Sequence, residues 1–272
     1  MGVRDVNVFS LRGEFKNAGD ISAPFFPTNG LEILAAAIGT DTVSGSAPHY
    51  HHTFAPANIL NSLTVEKNLG GFQSLQFVGT KVGKYSIKAT TGDTETEFSA
   101  SFIGKDANVL DTPSSPITIV NENPFVFAEA EITLFGELTA QVTAINIDID
   151  NGLKPTYTFN QSHDLEFLSS LTRHITGSLT VVFDSLDDAT WGYYTQMING
   201  SSGSLVANWT HTSTGASLQI TLPQIFLTKY ADDVKMDSII MTTLDYEAVY
   251  DLAADPPNSI GVLVINDVAT AY

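Results

Sequence analysis

The chain has 272 residues, with 12 Lys and Arg against 30 Asp and Glu, a formal net charge of -18. It has no Cys, which excludes a disulfide-built scaffold, a thiolate metal site and a cysteine nucleophile. Hydrophobic residues make up 43%, enough for a packed core, while the shortage of base excludes a firm grip on phosphate backbones.

The acid is spread unevenly: residues 1–136 carry 8 bases and 14 acids, residues 137–272 carry 4 and 16. The opening Met1–Val6 has no apolar run after Arg4 and reads as no secretory signal. The longest apolar stretch, Leu31–Ile38, contains Glu32 and is too short to span a bilayer. The expectation is a soluble protein made without export, with no membrane partner.

Asn29–Ile38 reads as a short helix, with Asn29 as N-cap, Glu32 in the first turn and Gly39 as the stop. A strand is expected from Ser62 to Lys67. In Lys84–Thr90 the residues Tyr85, Ile87 and Ala89 share one face. In Thr94–Phe102 the residues Phe98, Ala100 and Phe102 do the same, opposite Glu95, Glu97, Ser99 and Ser101. A tight turn near Thr91 and Gly92 would join the two as a hairpin and set Lys88 beside Glu95. Pro113, Pro116 and Pro124 mark a linker over residues 113–127, dividing a first unit (1–112) from a second (128–272).

In the second unit, Ile145, Ile147 and Ile149 alternate with Asn146, Asp148 and Asp150. Upstream, Leu138, Ala140 and Val142 lie in the other phase, so the pattern slips near Ala144 with no turn residue, as at a bulge. Further strands are expected at Ser178–Phe183, Leu205–His211, Leu218–Leu222, Ile225–Lys229, Ile239–Tyr250 and Val262–Ile265. Pro223 between two of them suits an edge or crossing point. A second helix, Asp187–Asn199, would place Trp191, Tyr194 and Ile198 on one stripe over a sheet. Helix, strand and long strand pair thus follow one another in both units. A second echo sets Leu63–Gly70 against Ile145–Gly152. Both alignments suggest an internal duplication and leave its register open.

Catalytic signals are weak. His49, His51 and His52 form the densest group of metal ligands, but His49 and His51 on one strand face still need a third ligand, so no metal is expected. Asp148–Gly152 lacks the remaining ligands of a calcium loop. Gly79–Lys84 is one residue short of a phosphate loop, with Tyr85 where Ser or Thr would bind magnesium. Ser162, His163 and Asp164 are contiguous, unlike a triad. Neither an enzyme nor a cofactor is expected.

Seven stretches together resemble the tail tube proteins of long-tailed, non-contractile-tailed bacteriophages. They are Ile59–Gly71 (ILNSLTVEKNLGG), Gly83–Ala89 (GKYSIKA), Phe98–Asp106 (FSASFIGKD), Ile145–Pro155 (INIDIDNGLKP), Ile175–Phe183 (ITGSLTVVF), Leu218–Ile225 (LQITLPQI) and Leu244–Asp251 (LDYEAVYD). Their order spans residues 55–267. The resemblance implies a mainly β tail-tube fold. Its β-sandwich or barrel halves carry one short helix each, and inner strands join a closed barrel between subunits. It also implies stacked rings, a role in DNA ejection without catalysis, assembly in the host cytoplasm and residence in the virion tail. The implied partners are further copies of the chain, a tape-measure protein, a tail terminator and baseplate or tip proteins. DNA would pass through without specific binding.

A channel for DNA is best lined by acid, so Asp148, Asp150, Asp245, Glu247, Glu95 and Glu97 are the candidate wall residues. Val3, Arg4, Asp5 and Val6 are the candidate inter-ring arm. Two tube-like halves would give a trimeric, pseudo-sixfold ring, and one would give a hexamer. The alternative reading is a β-sandwich binding module, an adhesin or carbohydrate-binding domain.

Overall fold

A computed structural model describes residues 13–70, 72–114, 122–138, 141–159, 163–182, 192–233, 239–254 and 257–272. The proposed arm Val3–Val6, Trp191, Asp187 with Asp188, Pro116 and Ser162 lie outside the described residues.

The first strands are β1 (Asn17–Pro24), β2 (Gly39–Ser46), β3 (His49–Pro56), β4 (Leu63–Leu69), β5 (Gln73–Thr90), β6 (Glu97–Gly104) and β7 (Asp106–Leu110). After a 3-10 turn at Phe127–Glu129 come β8 (Ala130–Leu134), β9 (Glu137–Leu138), β10 (Val142–Asp150), β11 (Leu153–Thr156) and β12 (Phe167–Ser170). The last are β13 (His174–Val182), β14 (Ser202–Thr210), β15 (Ser217–Asp233), β16 (Met241–Ala248) and β17 (Gly261–Asn266). Helix α1 spans Leu31–Ile38 and α2 spans Tyr193–Asn199.

Fifteen strands form one branched sheet whose main path is β1-β6-β5-β10-β13-β16-β15-β14-β8-β9. Every pairing is antiparallel. The sheet is mainly β as expected, but it is open: no closed barrel forms among the described residues.

The two longest strands organise it. β5 pairs through Gln73–Val78 with β4 and β7, and through Lys81–Thr90 with β6 and β10. β15 pairs through Ser217–Thr221 with β17, and through Ile225–Asp233 with β16. The two strands expected on either side of Pro223 are one strand, and the β14–β15 register shifts around that proline. Pro223 cannot donate to a ladder, so it stands where β15 exchanges partners. The slip expected near Ala144 is a register shift between Val142 and Ala144 against β13.

One face of the layer β1-β6-β5-β10-β13-β16 carries Phe98, Tyr85, Ile87, Ile145, Ile147, Ile149, Leu179 and Leu244, all buried. They join Trp209, Leu218, Ile220 and Val264 in a single hydrophobic cluster. Each such side chain contributes roughly 1.5–3 kcal/mol on leaving water.

Helix α1 is buried almost all round, exposing only Glu32. Its expected cap is corrected. Asn29 is not the N-cap; Gly30 is, with φ 83. The carboxylate of Glu122 instead accepts the N–H groups of Thr28 (3.3 Å) and Asn29 (3.1 Å) and the Thr28 hydroxyl (2.8 Å). The other end is also closed from afar. Asn151 Nδ2 donates to Ala37 O (2.9 Å), and Arg173 Nη2 donates to Ile38 O (2.8 Å). These bonds satisfy carbonyls that a helix end leaves open.

The stripe expected on the second helix is likewise corrected. Tyr194 and Ile198 are exposed, and Tyr193 and Met197 are the residues that pack on the core. The stretch expected as pure linker contains Phe125, fully buried, whose N–H donates to Phe25 O and whose carbonyl accepts Thr96 N–H.

Candidate functional site, an acidic sheet face

Strand alternation gives the same layer a second, polar face. Its cross-strand rows follow from the register. One row runs Ser22, Ser99, Ser86, Asp148, Thr176, Glu247. The next runs Glu97, Lys88, Asn146, Ser178, Asp245, Lys229. A third runs Asp20, Ser101, Lys84, Asp150, His174. With Asp233, which pairs with Met241, the face holds seven carboxylates against three lysines and one histidine.

Four of the six candidate wall residues therefore stand together, Asp148 and Asp150 on β10 and Asp245 and Glu247 on β16, either side of β13. Asn146, Asp148, Thr176, Ser178, Asp245 and Glu247 line a shallow hollow of about 310 Å³. Glu97 is on the same face, two strands away. Glu95 is not: it lies in the connection before β6. The tight turn expected at Thr91 is a longer segment, because Thr96 is pulled inward between Phe25 and Phe125. The register follows, setting Lys88 opposite Glu97 and within 3.8 Å of Asp93 rather than beside Glu95.

The face is only partly neutralised. Lys84 Nζ lies 3.2 Å from Asp150 Oδ2, and Lys229 Nζ lies 3.4 Å from Asp245 Oδ2. His174 Nδ1 is 4.0 Å from Glu247 Oε1. The two lysine pairs are exposed, so each stabilises by roughly 0.2–1 kcal/mol. Among the described residues no cation pairs with Asp148; it accepts a hydrogen bond from Asn146 Nδ2, whose Oδ1 accepts the Ser86 hydroxyl at 3.0 Å. Asp150 is held below the ordinary carboxylate range, first by the Gly152 N–H (2.9 Å) and also by Lys84. That local turn ends the strand, which is why the sequence there only looks like a calcium loop.

Beneath Asp148 the buried Tyr246 phenol is pushed upward, first by burial and then by the Asp148 charge. It therefore keeps its proton and donates a hydrogen bond to Asn146 O at 2.9 Å.

The histidine group has another role. His52 is fully buried on β3, with Nδ1 2.8 Å from Asp41 Oδ2 and Nε2 2.9 Å from Val268 O. Its ring packs on Tyr272 at 4.9 Å. No local pattern discloses this role, because the partners are 11 and 216 positions away. Among the described residues no group of three His, Asp or Glu side chains is placed to hold a metal, and no helix is long and apolar enough to cross a membrane.

An open antiparallel sheet with one buried face, one charged face and unpaired ends is the design of an assembling structural subunit, since exposed edges favour pairing with another chain. The chain belongs to the phage tail tube protein family, whose model matches residues 9–248. That is a structural family of the virion tail, not an enzyme family, and its members assemble with themselves and with other tail components. No curated protein matches the chain.

Proposed function

We propose that copies of this chain close into rings that stack into the tube of a non-contractile tail. The acidic face of the β1-β6-β5-β10-β13-β16-β15 layer is the wall of the channel that conducts DNA at ejection. The observation that carries this reading is the layer itself: apolar on one face, net acidic on the other and open at both ends. Carboxylates repel phosphate without gripping it, and screening confines the repulsion to about 8 Å from the wall. Asp148, Asp150, Asp245 and Glu247 are its centre, with Glu97 at its flank.

The subunit is an internal duplication, and three copies make the ring. The spatial order β1-β6-β5 matches β13-β16-β15, with α1 on β5 and α2 on β15. A register shift precedes Lys84-Tyr85 in β5, and another precedes Lys229-Tyr230 in β15. Those bulges support an alignment that neither sequence echo reached. The two units, 1–112 and 128–272, meet where β5 pairs with β10 and where β3 pairs with β17. Val3, Arg4, Asp5 and Val6 bridge successive rings. A tape-measure protein, a terminator and baseplate or tip proteins complete the tail, which is built in the host cytoplasm.

The test is charge reversal on the wall. Asp148→Lys with Asp150→Lys is expected to leave tubes intact and to slow DNA delivery. Unaltered delivery by particles carrying the double variant takes these residues off the wall. Deleting residues 1–12 is expected to weaken ring stacking more than ring closure, and tubes of unchanged length and stability refute that assignment.

A further inference from the structure

Arg173 is the only arginine among the described residues, and its half-buried guanidinium is fixed by neutral acceptors alone. Nε donates to Asn151 Oδ1 at 2.9 Å, and Nη2 donates to Ile38 O at 2.8 Å and to Ala57 O at 3.1 Å. Those bonds use Nε and both hydrogens of Nη2. Nη1 donates to none of the described residues, and none of their carboxylates pairs with the group. Burial pulls its pKa down, yet a guanidinium stays charged at any ordinary pH. In a chain with 30 acids against 12 bases, a half-desolvated cation without a counter-charge calls for a reason. The dipole of helix α1 offsets part of the charge through Ile38 O and leaves Nη1 unused.

Arg173 lines a cavity of about 440 Å³. Asn58, Thr172 and Ser259 bring an amide and two hydroxyls to the lining, Tyr250 an aromatic ring, and the buried Ile175 an apolar patch. No acidic residue lines it among those described, whereas Asp148, Asp245 and Glu247 all line the hollow on the acidic face. Ile175 lies opposite Ala248 and alternates with Thr176, so the cavity opens on the apolar side of the layer, away from the carboxylate rows. We propose that this cavity binds a small oxyanion on Arg173 Nη1, the phosphate of a phosphate ester or the carboxylate of an organic acid. The anion supplies the missing counter-charge, the hydroxyls and the amide complete its hydrogen bonds, and the apolar patch and the ring take a small organic body. The site does not depend on the ring reading.

Equilibrium dialysis of the full chain against radiolabelled inorganic phosphate, and separately against radiolabelled benzoate, tests it at constant ionic strength. One probe per chain is expected to bind, with a Kd of about 1 mM or below. At ten times that Kd the probe is expected to raise the thermal midpoint by about 3 °C. Asn58→Asp adds a carboxylate to the lining and is expected to weaken binding at least about tenfold. Asn58 is exposed and the three Arg173 bonds remain, so without probe the variant's thermal midpoint is expected within about 2 °C of the parent. Loss of the probe is then not loss of the fold. Phosphate bound alone assigns a phosphate ester, benzoate bound alone assigns a carboxylate, and both bound assign the oxyanion they share. A chain that holds neither probe overturns the proposal, and so does a probe held equally by the parent and Asn58→Asp. Either result leaves the tube reading intact.

Discussion

The two helices show how differently the two halves of the proposed duplication are finished. α1 is enclosed: Leu31, Leu34 and Ala35–Ile38 are buried, Glu122 serves its N-terminal end, and Asn151 and Arg173 hold its last carbonyls. α2 rests on β15 with no buried residue, and Tyr194 and Ile198 face outward. The strands show the opposite bias, β13 being flanked on both sides and β1 on one. Each half is enclosed where the other is open. A monomer in which both halves were fully enclosed would have no reason to associate, since burial of apolar surface drives association as it drives folding.

This contrast can be broken most sharply at Gly19 and Gly177, which stand in the same place when Asn17 opposite Gly104 is set against Ile175 opposite Ala248. Gly177→Val places atoms within 2.4 Å of Asn146 O and the Tyr246 hydroxyl, and is expected to destabilise the monomer by about 3 kcal/mol. Gly19→Val, where a Cβ would meet nothing within 4 Å, is expected to cost under about 0.5 kcal/mol. Urea unfolding of both variants measures the difference, and equal losses dissolve the match between β1 and β13.

Next come the helices. Leu34→Ala is expected to cost about 2–5 kcal/mol, because Leu34 is fully buried. Ile198→Ala is expected to change monomer stability by under about 0.5 kcal/mol. Arg173→Ala removes bonds to Asn151 Oδ1, Ile38 O and Ala57 O, and is expected to cost about 2 kcal/mol. Lys at that site recovers less than half, since it lacks the planar fork that reaches all three acceptors. Thermal unfolding of the two variants distinguishes this from a plain charge effect.

The smallest expected effect is on pH. The Asp150 carboxyl is depressed in the folded chain by Gly152 N–H and then by Lys84. Its contribution is therefore present above the ordinary carboxylate pKa and is lost as pH falls through the lower folded value. Asp150→Asn is expected to lower stability at neutral pH slightly and to flatten the acid limb of the stability curve by the same amount. A parent-like acid limb contradicts the assignment.

What the sequence discloses follows from the range of each interaction. The alternation of Ile145, Ile147 and Ile149 is legible because a strand buried on one face repeats every two residues. The slip at Ala144 and the crossing at Pro223 are legible for the same reason, as breaks in that period. The cap on α1 is not, because Glu122 is 93 positions from Asn29. A tight turn near Thr91 and Gly92 fits the local pattern and would carry Glu95 into the strand. Thr96 instead bonds to Phe25 and Phe125, contacts that no local pattern encodes. The open face of α2 was hidden because Tyr194 and Ile198 have the spacing of a core stripe, whereas the packed residues are Tyr193 and Met197.

The most direct measurement is an electron-microscopic reconstruction of the polymerised chain at a resolution that traces strands. The account predicts a continuous wall of strands around a hole, with the Asp148 and Asp245 rows turned inward. A solid rod, or a tube bearing those rows on its outer surface, contradicts it.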